Sequence, residues 1–292
     1  MLLWASGRPA SAALITNLGY NLFTTGSAAE SNSDFEGRAA IGGNASFSSF
    51  SINSRNTGSQ ALVAGGNLTF TNGQVNGNAY VGGTVATSGL NVTGTLYNPS
   101  NPLNFSALGA QLSSDSQLLA SLTATGTAIY DNGLGREVLN STNSSLAVFN
   151  ITATQLQQAN NQGLDFQVNP NATVVVNISG TSASLSNFQM FLNGASANNI
   201  LYNFTNATSL SDSNVSIEGT VIAPLAAVNL GYMHINGGLY TASLSGNGEL
   251  HNVPFTGVVS VPEPTSMALG LIGVGTLGVV LHRKNRRNAQ AA

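Results

Sequence analysis

A mainly β chain wound as a β-solenoid is the fold class this sequence predicts, and three observations lead to it. Phrases of one kind recur: "GRAAIGGNASF" (37–47), "ALVAGGNLTF" (61–70) and "GNAYVGGTV" (77–85), with relatives in "IEGTVIAPLAAVNL" (217–230) and "INGGLYTASL" (235–244). Each joins a small, apolar run through a turn to alternating apolar and polar residues, as stacked rungs of a solenoid require. Ser and Thr alternating with Val and Ile suit half-buried strands, and Asn and Gly supply the positive φ of the turns. Only 7% of residues are charged while 42% are hydrophobic, which is unlike a charged disordered chain. A β-sandwich is the alternative, because short alternating strands fit it too.

In chain order, residues 1–13 read as the remnant of a signal peptide. The apolar stretch Met1–Ala5 is short and Arg8 follows it, yet Ala10–Ala13 is small-residue text of the cleavage-site kind. The expectation is that Met1 lies within a longer leader. Residues 14–257 form the β domain. One helix is expected inside it, over 104–123, with Phe105, Leu108, Leu112, Leu119 and Leu122 at helical spacing. Pro102 and Asn104 are its start signals. It is read as an amphipathic helix packed along the side of the solenoid. A shorter helix is expected at 152–161, and "ATVVVNISG" (172–180) reads as a buried strand.

Residues 258–292 differ from the rest. Val261-Pro262-Glu263-Pro264 is extended punctuation, since proline restricts itself and its predecessor. Residues 265–281 are apolar and uncharged, long enough for a short membrane-spanning helix. Residues 282–287 carry Arg283, Lys284, Arg286 and Arg287, a basic stop expected to stay cytoplasmic.

The chemistry available to the body is narrow. No cysteine is present, which excludes disulfides and thiolate sites. Ten acids against three arginines between residues 11 and 260 leave a net charge of −7, so nucleic acid is not an expected partner. Asp34, Glu36 and Arg38 alternate and would share one face of a strand, as an ion-pair ladder or a ligand site. Glu249 and His251 would share another, conceivably as a metal or acid–base pair, with a surface strand pair the commoner outcome. His234 has no partner at a metal-ligand spacing. Asp131-Asn132-Gly133 matches part of a calcium loop but lacks the remaining ligands. Sequons such as Asn67, Asn91 and Asn177 are expected by chance in a chain this rich in Asn, Ser and Thr. No metal, cofactor or catalytic residue is called for.

Two resemblances add to this. The tail, with Pro262-Glu263-Pro264, the apolar run and the basic end in order, resembles the PEP-CTERM sorting signal. That resemblance implies processing by an exosortase, a membrane tether before cleavage, and export in a Gram-negative bacterium that makes exopolysaccharide. The body, through "LGYNLFTTGSAAESNSDFEGRAAIGGN", "ATVVVNISG", "ILYNFTNATSL" and "SIEGTVIAPLAAVNL", resembles the choice-of-anchor A domain. This implies an adhesin-like surface module without enzyme chemistry. The function expected is an adhesive or structural surface protein associated with exopolysaccharide. The alternatives are an ice- or crystal-binding solenoid and, further off, a polysaccharide-active enzyme.

Overall fold

The computed structural model describes residues 14–56 and 58–259. The expected signal remnant, the sorting motif at 261–264, the span at 265–281 and the basic end at 282–287 lie outside them. Among the described residues no helix is long and apolar enough to cross a membrane.

The described residues form one unit made of β-coils. The first coil holds β1 (Leu22–Thr24), β2 (Ala28–Ser31) and β3 (Asp34–Phe35). The second holds β4 (Ala39–Ile41) and β5 (Ala45–Ile52), and the third β6 (Gly58–Ala64) and β7 (Leu68–Val75). The fourth holds β8 (Gly77–Val81) and β9 (Val85–Val92), followed by β10 (Leu96–Tyr97). Then α1 (Phe105–Ala120) carries the chain back along the stack. The next coil holds β11 (Thr127–Asp131), β12 (Arg136–Asn140), β13 (Leu146–Thr152), α2 (Ala153–Gln158) and β14 (Gly163–Gln167). Four more pairs follow: β15 (Thr173–Ser179) with β16 (Ser182–Phe191), β17 (Ile200–Phe204) with β18 (Ser209–Glu218), β19 (Thr220–Leu230) with β20 (His234–Asn236), and β21 (Leu239–Gly246) with β22 (Glu249–His251).

Each coil pairs in parallel with the next, and among the described residues only β11–β12 is antiparallel. That pattern is a solenoid and not the sandwich held as the alternative, because a coil returns each strand beside its own predecessor in one direction. The stack is not in chain order. The last coil, β21 with β22, pairs with the first, β1 to β3, so the N-terminal coils continue the C-terminal ones.

Three parallel ladders result. The first runs β13-β15-β17-β19-β21-β1-β4-β6-β8-β10. Its central strands are buried on both sides, and they read as largely apolar runs such as "TVVVNI" and "ALVA" for that reason. The interior covers one side and α1 the other. Asn104 caps the helix by accepting the Ala107 N–H, as its sequence signal predicts. Leu112 and Leu119 are fully buried. The expected stripe has a polar insert at Asp115 and Ser116, both buried.

That insert meets a second polar row beneath it. Asn203 Nδ2 donates to Asn177 Oδ1 at 2.8 Å and to the Ser116 carbonyl at 2.9 Å, while Ser116 Oγ donates to Asn203 Oδ1 at 2.6 Å. Asn177 Nδ2 in turn donates to the Leu119 carbonyl at 2.8 Å. Each buried carboxamide is satisfied, and the helix is fixed in register. At its other end Phe105 lies on Phe23, with ring centroids 6.0 Å apart, and over Gly42 and Gly65. A Cβ on either glycine would sit 2.3–2.4 Å from the carbonyl oxygen of the neighbouring coil, so this column admits glycine alone.

Candidate functional site: two open faces of the solenoid

The other two ladders have α2 packed at their β12 and β16 end, and the outward residues beyond it are open to solvent. The second runs β16-β18-β19-β21-β2-β5-β7-β9. Alternation holds through β5 and β7: Phe47 and Phe70 point in and are buried, while Ser46, Ser48, Thr69 and Thr71 point out and are exposed. Register aligns these residues from coil to coil. One row reads Ser184, Ser211, Asn229, Ser245, Ala29, Ser46, Thr69, Ala86. A neighbouring row over the first four coils reads Ser31, Ser48, Thr71, Ser88. Coils stack about 4.8 Å apart and alternate residues lie about 6.7 Å apart along a strand, so hydroxyls and methyls form a regular grid. No Asp, Glu, Lys or Arg stands in these rows.

The third ladder runs β12-β14-β16-β18-β20-β22-β3-β5-β7-β9 and carries the titratable groups. Its outward side brings together residues the sequence holds far apart. Ser216 Oγ and His234 Nε2 are 2.6 Å apart, and the His234 and His251 rings stack at 5.1 Å. Asn236 Nδ2 donates to Glu218 Oε1 at 2.7 Å, which leaves its Oδ1 to accept from the Nδ1–H of His251. His251 Nε2 lies 3.0 Å from Glu249 Oε1, so the predicted strand-mate pair is in contact. Glu36, Glu249 and His251 each offer one ligand atom, all within 4.8 Å, a donor set with the composition of a metal centre.

The predicted trio of Asp34, Glu36 and Arg38 separates. Asp34 and Glu36 are on this ladder, where Asp34 accepts from Ser54 Oγ and Glu36 pairs with Arg55 at 3.2 Å. Arg38 is not beside them. The chain turns at Gly37 toward the covered ladder, and the alternation that would align the three stops there. The Arg38 guanidinium stacks 4.5 Å over the Tyr20 ring and donates to the Leu18 and Gly19 carbonyls. Arg55, which pairs with Glu36 instead, had no local signal, because it is brought in from the following coil.

Two acids point into the interior beneath the hydroxyl-bearing ladder. Glu30 is 3% exposed; burial raises its pKa to about 8, the N–H of Gly248 pulls it down and nearby Asp212 pushes it up. Burial likewise raises Asp212 to about 6, against the opposing Gly231 N–H at 2.8 Å. Neither was singled out from sequence, since an acid at an alternating position gives no sign of facing inward.

Against this geometry, a family model described as "Putative Ice-binding-like adhesive domain" matches residues 13–252, and the PEP-CTERM protein-sorting motif matches residues 260–284. The body's match is thus to the ice-binding-like adhesive domain and not specifically to choice-of-anchor A. Nothing among curated proteins matches. Solved structures similar to the chain include an ice-binding protein from the Antarctic ascomycete Antarctomyces psychrotrophicus, at 16% identity and TM-score 0.33, covering 83% of this chain and 98% of that one. A glycosylated ice-binding protein from an Arctic yeast is similar at 14% identity and TM-score 0.34, over 88% of this chain and 96% of that one. A Shewanella frigidimarina ice-binding protein domain is similar at 12% identity and TM-score 0.31, over 84% and 97%.

Proposed function

The chain belongs to the ice-binding-like adhesive domain family and carries a sorting motif that marks an exported, surface-associated protein processed by an exosortase; from this premise we propose that it is a non-catalytic adhesin whose uncharged ladder docks on exopolysaccharide. The observation that carries the reading is the row of Ser184, Ser211, Ser245, Ser46 and Thr69, exposed, in register and free of charge. Hydroxyls and carboxamides both donate and accept, so such a row can exchange its water for sugar hydroxyls without stranding a buried polar group. A neutral face also binds without the salt sensitivity of charged pairing. The tether is read as an inner-membrane helix that holds the precursor until exosortase cleavage in a Gram-negative cell. The choice-of-anchor A resemblance is a finer form of the same adhesive reading.

Binding of the full-length chain to immobilised exopolysaccharide from the producing cells tests this. Retention at both low and high salt is expected. Ser46→Lys with Thr69→Lys should abolish it, and equal retention by the double variant would overturn the assignment of the face.

A second reading, ice binding, is favoured by Thr69 and Thr71, which present paired methyls and hydroxyls on one strand. Serine fills most of the remaining grid, and it lacks the methyl. Thermal hysteresis measured on the full chain decides: activity comparable to that of an ice-binding standard supports ice, and its absence leaves polysaccharide.

A further inference from the structure

The corner between the two open ladders is built the same way in almost every coil. Asn161, Asn187 and Asn214 follow one another there with φ of 69°, 46° and 57°, and Asn32, Ser49, Asn72 and Gly89 do so at the other end with φ of 55°, 51°, 54° and 67°. All lie in the left-handed region, where asparagine and glycine are at home and a bulky side chain is strained. One position departs from the pattern. Tyr232 occupies it with φ 54° and is 86% exposed. An aromatic ring there neither packs nor relieves the backbone. The turn is nonetheless fixed from both sides, for the Gly231 N–H donates to Asp212 Oδ1 at 2.8 Å and the Tyr232 N–H to Asn247 Oδ1 at 3.2 Å.

Tyr232 forms one wall of an open groove of about 360 Å³. Most of the rest is polar: Asn161, Asn187, Gln189, Asn214, Ser216 and His234 line it, with Phe188 and Val215 between them. The three asparagine carboxamides are already aligned, with Asn214 Nδ2 donating to Asn187 Oδ1 at 2.8 Å and Asn187 Nδ2 to Asn161 Oδ1 at 3.0 Å. Each keeps further donors or acceptors free for a ligand. Among the described residues no carboxylate or guanidinium lines the groove. An exposed aromatic on a strained, hydrogen-bonded turn beside a ladder of amides has the features of a site where strain is retained for binding.

We propose that this groove binds a neutral glycan segment, with one sugar ring stacked on Tyr232 and its hydroxyls bonded to the Asn187 and Asn214 carboxamides. The inference rests on the reading that the ligand class is neutral polysaccharide, but it assigns a discrete site outside the flat hydroxyl grid. An anionic polymer would find only His234 to pair with, and a protein partner would leave the amides competing with water.

Saturation-transfer NMR on the full-length chain tests it, with cellohexaose, maltohexaose and mannohexaose as neutral probes and hexagalacturonate as the charged one. Wild type and Tyr232→Phe are expected to bind at least one neutral hexasaccharide alike, since the ring and not the hydroxyl does the stacking. Tyr232→Asn should weaken that binding about tenfold while the thermal unfolding midpoint stays the same or rises, because asparagine is the residue this corner otherwise uses. The proposal falls if no neutral hexasaccharide binds, if Tyr232→Asn binds as wild type does, or if hexagalacturonate binds as tightly. Ser46→Lys with Thr69→Lys separates it from the face: the groove predicts unchanged hexasaccharide binding in that variant even where retention on exopolysaccharide is lost. Loss of both in the face variant, with Tyr232→Asn intact, overturns the groove and leaves the face.

Discussion

The covered ladder and the hydroxyl-bearing ladder belong to the same coils, pair in the same parallel sense and differ in what stands outward. On the covered side the outward row reads Asn177, Asn203, Ile222, Tyr240, Phe23, Ala40, Val63; on the open side it reads Ser211, Asn229, Ser245, Ala29, Ser46, Thr69. The backbone alone does not choose between them. Large apolar and paired carboxamide groups demand a cover and receive a helix, whereas small hydroxyls are satisfied by water and remain available. A solenoid of this kind therefore separates stability from binding by face, and substitutions on the two sides should differ in kind.

The largest effect is expected from the interior the two faces share. Glu30 points inward beneath the open ladder and has a folded-state pKa of about 8 against an ordinary 4.5. Below pH 4.5 it is protonated whether the chain is folded or not, and it costs nothing. As pH rises the unfolded chain loses this proton first, so stability falls, and the loss is complete once pH has passed 8 and the buried group has ionised too. Asp212 adds a smaller loss between 3.8 and about 6. The Glu30 shift alone corresponds to a decline on the order of 5 kcal/mol. Urea unfolding at a series of pH values reads it directly. Glu30→Gln should flatten most of the slope, and an equally steep slope in that variant would show that Glu30 is not its source.

Next come the two kinds of contact that hold the cover. Leu112→Ala empties a fully buried site between helix and sheet and should cost about 3 kcal/mol. Asn203→Ala leaves the Ser116 carbonyl and Asn177 Oδ1 without their donor and should cost about 2 kcal/mol. Chemical denaturation measures both. If Asn203→Leu proves as stable as wild type, the carboxamide ladder sets the register of the helix without adding net stability, and the contrast between the faces rests on apolar packing.

How much of this the sequence discloses follows from distance along the chain. Glycine pairs at 42–43, 65–66 and 82–83 mark real corners, and Asn104 with the leucine stripe marks α1, because these signals are local. The rows on each face are not local. Successive strands are offset by 17 residues between β2 and β5, 23 between β5 and β7, 16 between β19 and β21 and 27 between β16 and β18. With irregular offsets, no fixed period reveals that Ser184 and Thr69 share a row. The seam where β21 meets β1 is more remote still, joining residues more than 200 positions apart. Asp34, Glu36 and Arg38 show the same limit at short range: alternation predicted a shared face, and one corner at Gly37 ended it.

The smallest effect is the sharpest test of the comparison. Thr69→Ala removes one hydroxyl and one methyl from an exposed position whose neighbours Ser46 and Ala86 are already small. Its side chain meets solvent and no helix, so stability should change by no more than about 0.5 kcal/mol. Retention on exopolysaccharide should nevertheless fall measurably, and fall further in Ser46→Ala with Thr69→Ala, since each removes a hydroxyl that a sugar would replace water to reach. The same truncation under the helix, at Leu112, should do the reverse, lowering stability while leaving retention per folded molecule intact. Should Thr69→Ala destabilise the fold as Leu112→Ala does, the open ladder is a structural surface in its own right, and binding must be sought on another part of the coil.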